Sequence, residues 1–223
     1  MPELNNSIAA RAVYERSKLA LIQAGLDPRS VENAKLTQTD IILETLLSTT
    51  QNAFPFQILN NTVTGGIPQR PTERRLKLQD AFYVSTMFIY LAKYSSASAT
   101  DGVSKTYPNV VTFPTGGGPT GALYTFYNGQ FTLSVNNEVV VPGMDLQRYL
   151  NVPQTQLTAA ANSPQDEFDG STKLIVEPNL VLIGQKDNIM SINLPGNITT
   201  IDTFTYARIV LEGVLAQNVT LVS

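Results

Sequence analysis

Three stretches hold residues whose types and spacing could do chemistry. Asp166, Glu167 and Asp169, followed by Gly170, could hold a hard cation through carboxylate oxygens. Their spacing matches no ordered calcium loop, so a solvated turn is the expectation and no metal site is assigned. The glycine-rich run at 116–121, GGGPTG, has the look of a phosphate loop but lacks the Gly-Lys-Ser/Thr ending and does not lead from a strand into a helix. A flexible surface loop is expected there. Arg70, Arg74, Arg75 and Lys77 form the only dense basic cluster, within PQRPTERRLKLQD. Nucleic-acid recognition would want interleaved aromatics and a basic remainder, and this chain supplies neither. These side chains are expected to lie over a sheet edge and to pair with Glu73, Asp80 or acidic groups of a neighbouring subunit. Intersubunit contact is therefore the role assigned to Arg70, Arg74, Arg75 and Lys77.

Much of the usual catalytic equipment is missing. The chain has no histidine, no cysteine and no tryptophan. Without imidazole or thiol there is no Ser-His-Asp or Cys-His pair, no zinc thiolate site and no disulfide. Carboxylate chemistry remains open, as in a glycosidase, but no two carboxyl groups can be nominated to face each other across a cleft. A non-enzymatic protein without cofactors is expected. The net charge of −3 argues against a protein that coats nucleic acid. Charged residues make up 15% of the chain, against roughly 25% in an average soluble domain, which suggests that part of the surface is covered by partners. No charged and then apolar leader opens the chain, and no apolar run is long enough for a membrane span, so neither export nor a membrane anchor is expected.

The elements that position these residues fall into two regions. Residues 1–50 read as helical. Ser7 caps a helix with Ile8, Ala12, Leu19 and Ile22 at helical spacing, and Gly25 stops it before Asp27-Pro28. Thr37 to Asp40 reads as a capping box for a second helix through Ile41, Ile42, Leu43, Leu46 and Leu47. Both helices pack either on the chain's own core or, as an arm, on a neighbour.

Residues 51–223 read as β. Asn128-Gly129 predicts a type I′ hairpin that sets Phe126 against Phe131, Tyr124 against Leu133 and Ala122 against Val135. Asn136-Asn137 predicts a second tight turn with Leu133 opposite Val140, completing a three-stranded meander. Further strands are predicted at 54–59, 82–91, 173–176, 180–183, 189–194 and 203–215, with a short turn at 144–150. In the last strand Ala207, Ile209, Leu211, Gly213 and Leu215 form one face. Roughly eight to ten strands without alternating helices predict an antiparallel β-sandwich, a jelly roll, with a helical N-terminal arm. Loops at 95–102, 114–121 and 158–171 are long and poor in charge, as in segments that carry function or are held by partners.

TERRLKLQDAFYV at 72–84, YNGQFTLSVNN at 127–137, YLNVPQTQ at 149–156, EPNLVLIGQKDNIMSINLP at 177–195 and ARIVLEGVLAQNV at 207–219 together resemble the jelly-roll major capsid proteins of small tailless icosahedral bacteriophages. The resemblance implies a capsid subunit that self-assembles through trimers or capsomers. It further implies other virion proteins as partners, possible contact with an internal membrane, and no sequence-specific nucleic acid. Assembly would take place in the host cytoplasm and the mature location would be the virion. The alternative reading is a virion spike, a fibre or a lectin-like module that presents Tyr124 or Tyr127 to a sugar.

Overall fold

The computed structural model describes residues 2–60, 68–118, 120–151 and 174–222; the acidic group at 166–169 lies outside them. The chain is mainly β. Helices α1 (Pro2–Gln23) and α2 (Pro28–Asn33) precede strands β1 (Lys35–Leu46), β2 (Ala53–Phe56), β3 (Ala81–Lys93) and β4 (Val103–Lys105). A single helical turn, α3 (Tyr124–Tyr127), leads into β5 (Gln130–Val135) and β6 (Glu138–Asp145), and a 3-10 turn spans Leu146–Tyr149. Strands β7 (Leu174–Ile183), β8 (Asn188–Asn193) and β9 (Thr205–Gln217) complete the described chain.

Among the described residues every strand pairing is antiparallel, and the strands form two sheets. One runs β1-β9-β3, with β7 along the first half of β3 and β4 along its end; the other runs β2-β8-β5-β6. The pairings are nested: β1 with β9, β2 with β8, β3 with β7, and β5 with β6 innermost. Inward residues of both sheets join one core, in which Ile41, Leu43, Phe82, Val84, Ile89, Ala207 and Ile209 meet Phe54, Phe56, Phe131, Leu133, Met190 and Ile192. Along β3 the core residues change phase, from Phe82 and Val84 to Met87, Ile89 and Leu91. A bulge between Val84 and Thr86 makes this possible, because one extra residue swaps the two faces of a strand. The hydroxyls of Ser85 and Thr86 bind the main chain and carboxylate of Glu212 at 2.9 and 2.8 Å and hold the bulge in place.

The outer face of the first sheet is covered at one end by the helices. Leu21, Leu26 and Val31 pack on Ala81, Ile183 and Ala216, and Ala20 packs on Tyr83 and Val214. The predicted stop at Gly25 is present: its φ is +97° and its N–H donates to the Ile22 carbonyl at 3.0 Å. Ser7, however, lies inside α1 and not at its start. Residues 11–16 of α1 are exposed, and docking begins only at Ser17.

The second predicted helix is β1, paired with β9 along its whole length. Thr37, Thr39, Ile41, Ile42 and Thr45 are β-branched, a bias toward strand that outweighs a capping box, and alternation buries Ile41 and Leu43 in the core. Residues 1–50 are therefore not a helical unit.

The hairpin at Asn128-Gly129 does not form either. Asn128 has φ −85° at the end of α3, and β8 occupies the side of β5 assigned to residues 122–126, with Phe131 opposite Ile192 and Leu133 opposite Met190. Leu123, Phe126 and Tyr127 are buried together. Their spacing of three and four residues places them on one side of a helical turn, and this burial prevails over the local turn signal. The meander reduces to the β5–β6 hairpin. Its turn is as predicted, with φ of 52° at Asn136 and 63° at Asn137, but a bulge moves Leu133 opposite Val141 in place of Val140.

Residues 106–118 and 120–123 close into successive turns. Gly117 N–H meets the Phe113 carbonyl at 3.0 Å and Leu123 N–H meets the Gly116 carbonyl at 2.9 Å, while Phe113 and Leu123 are buried in the core. A Cβ on Gly117 would stand 2.2 Å from the Phe113 carbonyl oxygen, so these glycines serve close main-chain packing.

Candidate functional site

The densest polar constellation lies on the outer face of the first sheet, at the end away from α1. Glu44 sits on β1 with no exposed side-chain surface. The segment that carries the basic cluster runs along the free side of β1 and makes two main-chain bonds between Ile42 and Arg74, at 3.0 and 2.9 Å. Glu44 N–H then donates to the Glu73 carboxylate at 3.0 Å. A side-chain oxygen thus replaces the missing neighbouring strand and satisfies a donor that an edge would leave open.

The Glu44 carboxylate accepts from Arg70 Nε and Thr72 Oγ1, each at 2.8 Å, and from the Tyr94 hydroxyl. Arg208 Nε stands 3.5 Å from its other oxygen. The Arg70 guanidinium lies 4.3 Å from the Tyr94 ring centre and 4.0 Å from that of Tyr206, and it donates to the Ala97 and Ala99 carbonyls at 2.5 and 3.2 Å. Glu73 receives Arg70 N–H at 2.8 Å and pairs with Arg75 at 2.9 Å. Burial pushes the Tyr94 hydroxyl up to about 12, and its hydrogen bond to Glu44 adds to the rise. Tyr90, also under this face of the sheet, is raised further by burial and by the Glu212 carboxylate.

The structure divides the predicted basic cluster in two. Arg70 and Arg75 are buried, with 11% and 2% of their side chains exposed, and their partners lie within the chain. Arg74, 62% exposed, pairs with Asp40, and Lys77 is exposed. Of the two acidic partners expected, Glu73 binds Arg75, whereas Asp80 accepts the Asn218 N–H at 3.1 Å and ties the end of β9. A recess of about 420 Å³ opens between Glu44, Arg70, Leu46, Pro55, Ala97 and Tyr206, and a smaller one of about 260 Å³ lies beside Asp40, Arg74, Lys77 and Asp80.

This arrangement is suited to fastening. Three hydrogen bonds, from Arg70, Thr72 and Tyr94, hold the Glu44 carboxylate beside the Arg208 cation, and Arg70 spends its donors on carbonyls and carboxylate. Among the described residues no group of three acidic side chains is placed to hold a metal ion, and no helix is long and apolar enough to cross a membrane. Of the two tyrosines named for sugar contact, Tyr127 is buried, whereas Tyr124 is half-buried and packs edge-on against Tyr107 at 6.1 Å.

Glu44, Tyr94, Tyr206 and Arg208 were not predicted as site residues. One signal was present, since Glu44 is the lone charge in the apolar run IILETLL. A charge in that setting must find partners when the run is buried. Comparison with protein-family models, with curated proteins and with solved structures finds no match to this chain.

Proposed function

We propose that the protein is a structural capsid subunit, a jelly-roll sandwich that self-assembles into an icosahedral viral shell and performs no catalysis. The nested strand pairing carries this reading. A ribbon in which the first strand pairs with the last, the second with the next to last, and so on inward, becomes a jelly roll when it is wound up. Pairings of β9 with β3 and of β8 with β5 are the contacts that such winding adds. The low charge of the chain and the exposed apolar residues Val13, Leu19, Val139 and Ile189 support a surface that neighbours cover. The exposed stretch of α1 supports an arm that reaches another subunit, the second of the two roles open to this helix.

In this reading, apolar burial between subunits supplies the affinity, and Arg74 and Lys77 act as rim charges that set orientation. Arg70 and Arg75 act indirectly, by holding the edge of β1 in shape. Light scattering and negative-stain microscopy across a range of protein concentration test the proposal. Closed particles of uniform diameter are expected; a protein that stays monomeric at high concentration overturns it.

A further inference from the structure

The side of β1 that faces away from β9 is covered along only part of its length. At Ile42 both main-chain groups bond Arg74, and Glu44 N–H meets Glu73. Because β1 keeps one unbroken register with β9, Leu36, Gln38 and Asp40 turn their N–H and C=O groups to the same side as Ile42. Among the described residues nothing bonds these groups. Residues 36–40 thus leave about 17 Å of strand edge open, in line with the Arg74 segment.

A recess adjoins this edge. It holds about 260 Å³ in the corner where the edge meets Arg74, and Thr39, Ile41, Leu215, Gln217 and Lys77 are among its walls. Lys35, Thr37 and Thr39 share the face of Ile41, and Lys35 stands opposite Gln217. A lysine therefore flanks this face at either end. Lys35 and Lys77 are exposed and have no ion-pair partner among the described residues. The carboxylates beside them are engaged: Asp40 pairs with Arg74, and Asp80 accepts the Asn218 N–H at 3.1 Å. On the opposite face Leu36 packs against Ala20, Tyr83 and Val214, beneath the docked end of α1.

We propose that this edge docks an extended segment of another protein, which adds a strand to β1 and carries acidic residues on the recess side and apolar residues on the α1 side. Strand addition draws affinity from main-chain bonds and specificity from pockets for alternate side chains, and β1 offers both. A guest antiparallel to β1, as the Arg74 segment is, exchanges main-chain bonds with Asp40, Gln38 and Leu36. Its residues opposite Thr39 and Thr37 project beside the recess, between Lys77 and Lys35, where carboxylates meet unpaired cations. Its residues opposite Gln38 and Leu36 project on the α1 side, where Leu36 gives apolar contact. A short segment suffices, since the edge is bounded by the cap of α2 at Ala34 and by the bridge of Ile42 to Arg74. The site is independent of the shell reading, because the guest belongs to a different protein.

Two end-capped, fluorescein-labelled peptides test the site by fluorescence anisotropy. Thr-Glu-Val-Glu-Val sets its glutamates opposite Thr39 and Thr37, and Thr-Lys-Val-Lys-Val sets lysines there. The glutamate peptide should bind about tenfold more tightly or better. Lys35→Glu combined with Lys77→Glu should reverse that order; both side chains are exposed, so the fold is kept, which circular dichroism melting verifies. N-methylation of the central valine removes the N–H that meets Gln38 and should weaken the glutamate peptide about tenfold. Equal binding of the two peptides, no binding up to about 1 mM, or indifference to N-methylation overturns the proposal. A protein that stays monomeric yet shows the expected pattern keeps the docking site and loses the shell reading.

Discussion

Replacing Glu44 by leucine removes the anion at the centre of the buried network while keeping a side chain of similar size. Arg70 and Arg208 would then lose their shared counter-charge, with 11% and 16% of their side chains exposed. Leaving a buried cation unpaired costs about 3–5 kcal/mol, a large share of the roughly 5–15 kcal/mol by which a domain is stable. With a urea slope of about 2–3 kcal/mol/M for a chain of this size, the unfolding midpoint should fall by about 1–2 M. Tyrosine fluorescence and circular dichroism report the transition, since the chain has no tryptophan. A second change, Arg70→Met, removes one of the stranded cations. Glu44→Leu with Arg70→Met should therefore lose less than the sum of the single losses, by about 1–3 kcal/mol. A loss below about 1 kcal/mol for Glu44→Leu, or strict additivity in the double variant, would refute the account of this network as a fastener of the β1 edge.

Three further outcomes are expected. A Cβ on Gly213 would stand 1.8 Å from the Tyr83 carbonyl oxygen, so Gly213→Ala should force β3 and β9 apart and lower the thermal midpoint by several degrees, about 3 kcal/mol or more; an unchanged midpoint contradicts the close approach. The Tyr94 hydroxyl rises from 10.0 to about 12 on folding, so the neutral form stabilises the fold in full below pH 10 and this contribution is lost as pH climbs from there toward 12. Absorbance titration of tyrosinate alongside stability should show that loss, and Tyr94→Phe should remove it. Asn137 holds φ of 63°, a conformation that glycine adopts freely, so Asn137→Gly should gain up to about 1 kcal/mol in urea unfolding, and a clear loss would contradict the turn assignment.

The strands that could be read from sequence are those whose burial follows their own alternation. β9 shows Ala207, Ile209 and Leu211 in the core as its pattern predicts, and β3, with almost no polar alternation, is buried along most of both faces. At 37–47 the apolar residues fit either period, and the β-branched bias of Thr37, Thr39, Ile41, Ile42 and Thr45 together with pairing to β9 decides for strand. Asn128-Gly129 fails for the opposite reason: its local signal is strong, but Leu123, Phe126 and Tyr127 gain more by entering the core on a helical turn. Within the basic cluster, Arg75 pairs with Glu73, the near neighbour named from the sequence, whereas the partners of Arg70 come from distant strands. Tyr94 and Tyr206 flank Arg70 only after β3 and β9 pair, and nothing in the neighbourhood of residue 70 announces them. Glu44 was legible in kind, as a charge in an apolar run, but its partners were not.

Native mass spectrometry of the purified protein over a wide concentration range bears most directly on the claim that the molecule works by assembling with itself. Discrete closed species at high integral multiples of the 24.3 kDa chain are the predicted result, whereas a single species at 24.3 kDa throughout would contradict it.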